Sequence, residues 1–337
     1  MKSLLVIGTG GTIAGAAPAA TQTVGYHSGV LSVSVLVDAV PGLADLADIR
    51  TRQPFAIGSE HMTSGHWLRL AGLVREAQAD AGIDGIVITH GTDTLEETAF
   101  FLDLMLAPGK PVVMTGAMRP ATAVSADGPA NLLAACRFAC DSQARGRGVL
   151  VAFNDCAWRA DSIVKVHTLR TDAFAARDAS PAGLLMSDVV HWHHPAPADG
   201  ERLPHATFAT LALPGSLPRV ALIWQHVDCD ESVVDWHLAR GTRGLVIAGS
   251  GNGTMPEPMR AALAAASRQG CLVVRATRVG HGPVLRNAEA EPADRDDALG
   301  FIAGGHLGPL KSRLLLQVCL IAGLAAGAVQ QQFDSYR

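Results

Sequence analysis

Short apolar runs rich in β-favouring residues recur along the chain, at 3–7, 85–89, 111–115, 148–153, 219–224, 244–248 and 271–276. Longer helical patterns lie between them, at 64–81, 95–106 and 129–142. That alternation is the signature of a βαβ series, whose crossovers make neighbouring strands parallel and bury them on both faces. Hydrophobic residues are 48% of the chain and charged residues 17%, so a large core is available and disorder is not expected. Aromatic residues are only 5%, which leaves packing to Ala, Val, Leu and Gly and favours interleaved helices and strands over an antiparallel sandwich.

A chain of 337 residues exceeds one ordinary core. Four prolines, Pro195, Pro197, Pro204 and Pro218, punctuate a stretch with little apolar periodicity and mark a linker. The expectation is two α/β domains. The larger, N-terminal one spans 1–194 with a mainly parallel sheet, 195–218 is the linker, and a smaller C-terminal parallel-sheet domain spans 219–337.

Several classes of function are disfavoured. The net charge is −4 and no run of Lys or Arg occurs, so no nucleic-acid partner is expected. The apolar start at 4–8 is too short for a signal-peptide core and reads as a first strand, which makes the protein cytoplasmic as written. The apolar stretch 314–329 is interrupted by Gln317, Gly323 and Gly327 and reads as a buried C-terminal helix, so no membrane partner is expected. Cys136, Cys140, Cys156, Cys229, Cys271 and Cys319 form no CxxC and read as free thiols of a reducing compartment. His191, Trp192, His193 and His194 read as a surface hairpin. Alternation puts His191 and His193 on one face without an acidic or Cys partner, so no metal is expected.

In open parallel sheets the chemistry collects at the carboxyl ends of the strands. After the first strand comes Gly8-Thr9-Gly10-Gly11-Thr12-Ile13-Ala14-Gly15. A dinucleotide-binding turn would need glycine where Ile13 stands, and an acidic residue about 20 positions on. A P-loop would need lysine where Ala16 follows Gly15. Both nucleotide readings fail on side chains, and no cofactor is expected. What remains is the Thr12 hydroxyl beside backbone N–H groups, an arrangement suited to a nucleophile with an oxyanion site. After a later strand comes Thr89-His90-Gly91-Thr92-Asp93-Thr94, followed by Leu95-Glu96-Glu97. Thr94 and Glu97 have capping-box spacing, which leaves Thr92 and Asp93 just outside the helix on the crevice side. Asp127, before Gly128-Pro129, reads as helix-start chemistry.

Together these two motifs closely resemble the signatures of the bacterial-type L-asparaginases. The resemblance continues through Gly58-Ser59-Glu60-His61-Met62, Gly116-Ala117-Met118-Arg119-Pro120 and Ser125-Ala126-Asp127-Gly128-Pro129-Ala130-Asn131-Leu132. It extends to Gly249-Ser250-Gly251-Asn252-Gly253 and Gly300-Phe301, and so covers essentially the whole chain.

The resemblance implies an amidohydrolase that converts L-asparagine to L-aspartate and ammonia through a threonine acyl-enzyme. It maps one catalytic group onto Thr12 and Tyr26 and a second onto Thr92, Asp93 and Lys165. Tyr26 could act as a base only if its environment lowers its pKa, and Lys165 only if burial lowers its own. The residues leave open which of them deprotonates Thr12. Asp93 and Glu60 suit a substrate ammonium, and Ser59 an α-carboxylate. The family sends an acidic residue into the site from a neighbouring subunit, and Glu289 in Asn287-Ala288-Glu289 is the best match, with Glu291 nearby as the alternative. Thr254 stands where relatives vary between Asn and a small hydroxyl residue. The segment 16–29 is expected to be a lid over the site. A homotetramer with sites at subunit interfaces is implied, as is secondary glutaminase activity. Alternatives are a broad glutaminase-asparaginase, a nucleotide-binding enzyme, and the asparaginase-like subunit of a tRNA-dependent amidotransferase, which would need a basic surface.

Overall fold

The computed structural model describes residues 1–196 and 208–336. Two compact units are present, Met1–Leu213 and Pro214–Arg337. Pro197 and Pro204 of the expected linker lie outside the described residues.

The first unit is built on an eight-stranded sheet of order β10-β9-β6-β5-β4-β3-β1-β2. Its strands are β1 (Lys2–Gly8), β2 (Ala47–Arg52), β3 (Gly85–Thr89), β4 (Val112–Thr115), β5 (Val149–Phe153), β6 (Cys156–Arg159), β9 (Gly183–Met186) and β10 (Val189–Trp192). A separate two-stranded sheet pairs β7 (Ile163–Lys165) with β8 (Phe174–Ala176). Strands β2, β1, β3, β4 and β5 are parallel, while β6, β9 and β10 extend the sheet in antiparallel steps. The unit's helices are α1 (Val33–Asp38), α2 (Leu43–Leu46), α3 (Ser64–Ala79), α4 (Leu95–Met105) and α5 (Gly128–Cys140).

Period-two alternation divides the strand side chains between two faces. Leu4, Val6, Val87, Val113 and Leu150 share one core with Leu132, Ala135 and Phe138 of α5. On the other face, α4 packs against β4 and β5, and α3 against β3. Helix α3 is started by a capping box between Thr63 and His66. The chain runs from β1 out to β2 and returns across β1 to β3. Connections that leave in opposite directions open a crevice at the carboxyl ends of β1 and β3. Gly8 pairs with Thr89, so both strands end at one level and their following turns must meet.

The second unit holds a parallel four-stranded sheet, β11 (Val220–Trp224), β12 (Gly244–Gly249), β13 (Leu272–Thr277) and β14 (Phe301–Ala303), in that order. Its helices are α6 (Ser232–Leu238), α7 (Glu257–Arg268), α8 (Asp296–Leu299), α9 (Pro309–Ile321) and α10 (Ala326–Asp334).

The expected single C-terminal helix over 314–329 is corrected to two. Gly323 takes φ +67°, and bonds from Gly323 N to Leu320 O and from Leu324 N to Cys319 O close a Schellman turn that ends α9. No described helix is long and apolar enough to cross a membrane. The cysteines are all free, and Cys136, Cys271 and Cys319 are buried.

Candidate functional site

The turn after β1 depends on glycine at two places. Gly10 and Gly11 have φ of +101° and +77°. A Cβ on Gly11 would lie 2.3 Å from the Cα of Gly91, so the turns after β1 and β3 touch backbone to backbone. Thr12 opens a three-residue helical turn, Thr12–Ala14, and no longer helix begins until α1. The turn therefore lacks the helix N-terminus that seats a phosphate, a second argument against a nucleotide loop.

Thr12 is 8% exposed, and its Oγ1 lies 2.6 Å from the Tyr26 hydroxyl. Tyr26 arrives on the segment 16–29, which is fastened at both ends. Ala16 and His27 exchange backbone bonds, and Gly29 N donates to Gly11 O. Ala17 N donates to Thr122 Oγ1, and Val124 N to Ala20 O. Burial raises the Tyr26 pKa above its usual value near 10, the hydrogen bond with Thr12 pulls it down, and Asp93, Glu60 and Asp127 raise it further. The lowered value that a resting base needs is not found; Tyr26 rests as a neutral phenol.

The turn after β3 supplies the second group. Lys165 Nζ donates to Thr92 Oγ1 at 2.9 Å and to Asp93 Oδ1 at 2.6 Å. Asp93 N donates to Ser59 Oγ at 3.1 Å, which leaves the Ser59 hydroxyl proton for another acceptor. Glu60 lies beside Ser59 and pairs with His61 at 3.5 Å. Thr94 does occupy the N-cap of α4, but its side chain makes no cap bond. Its hydroxyl donates to Ser59 O at 3.0 Å instead, tying the two segments together. Asp127 likewise precedes α5 without capping it. Its carboxylate accepts from Met118 N, Arg119 N and Asn131 Nδ2, and so holds the turn after β4.

Thr12, Tyr26, Ser59, Glu60, Thr92, Asp93 and Lys165 all line one cavity of about 320 Å³. Met118 of a quoted motif and Val24 of the segment 16–29 also line it, as do Thr168 and Leu169, which the sequence reading missed. Thr168 and Leu169 follow Lys165 closely, and that proximity was the available signal. Thr254 and Glu289 belong to the second unit, where both border a smaller cavity of about 60 Å³. Glu291 is exposed and precedes the short turn Pro292–Asp294. His191 lies on the hairpin β9–β10 at the sheet edge. Among the described residues no group of three His, Cys, Asp or Glu is placed to hold a metal.

His90, inside the second motif, does not line this cavity. It is buried between Thr9 Oγ1, 2.6 Å from Nδ1, and Thr98 Oγ1, 3.0 Å from Nε2. Thr9 donates to Thr89 O and Trp67 Nε1 donates to Thr98, so a proton on Nδ1 satisfies the whole chain. Burial lowers the His90 pKa from 6.5 to about 3. A neutral buried histidine contributes stability above pH 6.5 that is lost as pH falls towards 3. The expected cost is up to about 1.4 kcal/mol per pH unit. Urea unfolding of His90→Gln between about pH 6 and pH 4 should therefore show a shallower pH dependence than the wild type. Parallel slopes would refute the assignment.

Comparison with known proteins agrees over the whole length. The family described as "Asparaginase, N-terminal" matches residues 3–198, and "Glutaminase/Asparaginase C-terminal domain" matches residues 219–333. The chain is 35% identical over 336 residues to L-asparaginase 2 of Bacillus subtilis, covering 100% of this chain and 87% of that protein. It is 35% identical over 341 residues to the glutaminase-asparaginase of Acinetobacter glutaminasificans, covering 99% and 100%. A crystal structure of a probable cytoplasmic L-asparaginase from Campylobacter jejuni superposes with a TM-score of 0.88 at 36% identity, covering all of both chains. The fold and the site define a two-domain α/β protein with a hydroxyl-bearing glycine turn at its switch point. This chain belongs to the asparaginase family.

Proposed function

We propose that the protein is an L-asparaginase whose nucleophile is Thr12. The observation that carries this reading is the meeting, in one cavity, of the Thr12–Tyr26 pair and the Thr92–Lys165–Asp93 group. Asp93 has one carboxylate oxygen on Lys165, and its side chain is 62% exposed, so the other oxygen is available to a substrate ammonium. Ser59 donates its free proton to the α-carboxylate. This grip sets the side-chain amide against Thr12, whose oxygen adds to the amide carbon. Backbone amides of the two glycine turns stabilise the oxyanion. Collapse of the adduct forms the acyl-threonine and expels ammonia, with the proton supplied within the site. Water then adds to the ester, and aspartate leaves with regeneration of the Thr12 hydroxyl.

The domain roles follow the family resemblance. Residues 1–194 carry the nucleophile and substrate motifs, 195–218 link, and 219–337 form the C-terminal domain. In a cytoplasmic homotetramer, Thr254 and Glu289 of a neighbouring chain complete the amino-acid end of the site. No cofactor is required.

By the family resemblance, Glu60 after Ser59 and a small hydroxyl residue at Thr254 both accompany glutaminase activity among relatives, and one relative's name joins glutaminase to asparaginase. Glutamine is longer by one methylene, worth about 1–3 kcal/mol or roughly 10–200-fold in discrimination. Ammonia release from free asparagine and from free glutamine, measured on one preparation, is expected to favour asparagine by about that ratio. Glutamine turnover should stay above that of a Thr12→Ala control. No ammonia from asparagine would sink the proposal, and a preference for glutamine would replace it with the glutaminase reading.

A further inference from the structure

Lys165 closes β7, a three-residue strand that among the described residues pairs with β8 alone and has no ladder to the eight-stranded sheet. The main sheet therefore does not set the position of this lysine. Two other features do. Ile163, two residues earlier and on the same face of the strand, is fully buried, and β7 packs on α4. The second feature is polar. The backbone N–H of Lys165 donates to Glu96 Oε2 at 2.7 Å, a bond between residues 69 apart in sequence. Glu96 is 8% exposed and sits in the first turn of α4, where the helix dipole favours a carboxylate.

Lys165 is thus held at both ends by one five-residue segment. Glu96 takes its backbone nitrogen, while Thr92 and Asp93 take its Nζ. A long, flexible side chain gripped at root and tip has little freedom to swing away from the cavity. We infer that Glu96 is a positioning residue for the reaction, acting through the Lys165 backbone and touching no substrate. This inference rests on the proposed participation of Lys165 in amide hydrolysis.

The test is a double-mutant cycle on asparagine hydrolysis with Glu96→Ala, Lys165→Met and the pair. Glu96→Ala is expected to lower kcat by about 10–100-fold with KM within about threefold, the signature of a displaced group and not of lost binding. In the Lys165→Met background the same change should add less than about threefold, because the group it positions is gone. Glu96→Gln keeps an acceptor oxygen and should lose less than about fivefold. Glu96→Asp keeps the charge but shortens the reach, and should lose kcat while thermal unfolding reports an intact protein. It secures the test if the alanine variant does not fold.

Equal losses in both backgrounds, or full kcat in Glu96→Asp, overturn the inference. The underlying reading fails separately: Lys165→Met with wild-type turnover removes the lysine from the chemistry. An impaired Lys165→Met beside an unaffected Glu96→Ala overturns only the role of Glu96.

Discussion

A Thr12→Ala variant is expected to lose asparagine hydrolysis by about 10⁴-fold or more, because removal of a covalent nucleophile disables the groups that serve it. The fold should survive. The substitution deletes a hydroxyl whose side-chain partner is Tyr26 and a methyl group at the cavity wall. A lost hydrogen bond of this kind is worth about 0.5–1.5 kcal/mol, which in a protein of this size lowers Tm by only a few degrees. Gly11, Gly91 and Ile57 hold the turn through backbone contacts that the substitution does not touch. Turnover and thermal unfolding measured on the same preparation separate the two effects. Acid-quenched mass spectrometry adds a covalent readout, with an acyl adduct in the wild type and none in the variant. Hydrolysis within tenfold of wild type would exclude Thr12 as nucleophile.

The fold was legible where strands carry a continuous apolar run, most of them buried on both faces. β1, β3, β4, β5, β11, β12 and β13 were each found within a residue or two of the apolar runs that signalled them. What escaped did so for separate physical reasons. β2 is a sheet edge with sequence Ala-Asp-Ile-Arg-Thr-Arg, mostly exposed, so its pairing with β1 leaves no apolar run. β7, β8 and β14 have three residues each, too few for period two to show. Gly323 ended a helix where the surrounding apolar residues continued the pattern, and glycine alone does not distinguish a pause from a stop.

At the site, the glycine turns were readable because backbone contact leaves no other residue type possible. Thr94, Asp127 and His90 were less so. Thr94 and Asp127 have helix-start spacing, yet Thr94 bonds to Ser59 and Asp127 to the turn at Met118 as well as to Asn131, while His90, one residue of a quoted motif, bonds to Thr9 and Thr98. Spacing reports neighbours within a helix turn and is silent on partners beyond it. Glu96 is the same case, since its bond to Lys165 joins elements that no local pattern connects.

Lys165→Met is expected to lower kcat by about 10²–10⁴-fold, the range for losing a group that moves a proton in the transition state. Methionine nearly matches the lysine stem in length, and Ile163, which anchors the strand, stays buried. What goes is the ammonium that donates to Thr92 Oγ1 and Asp93 Oδ1. Asp93 keeps its exposure and so its proposed role in holding a substrate ammonium, and KM should change by less than about tenfold. The partner variant Lys165→Arg separates two roles. A guanidinium supplies positive charge at the same place but does not deprotonate in proteins, whereas an amine can cycle between both states. If Lys165 carries protons through Thr92, arginine leaves kcat near the methionine level. Recovery of kcat by arginine would make the lysine a fixed cation that only orients Asp93 and Thr92. A loss below about tenfold in Lys165→Met, or one confined to KM, would remove it from the chemical step altogether.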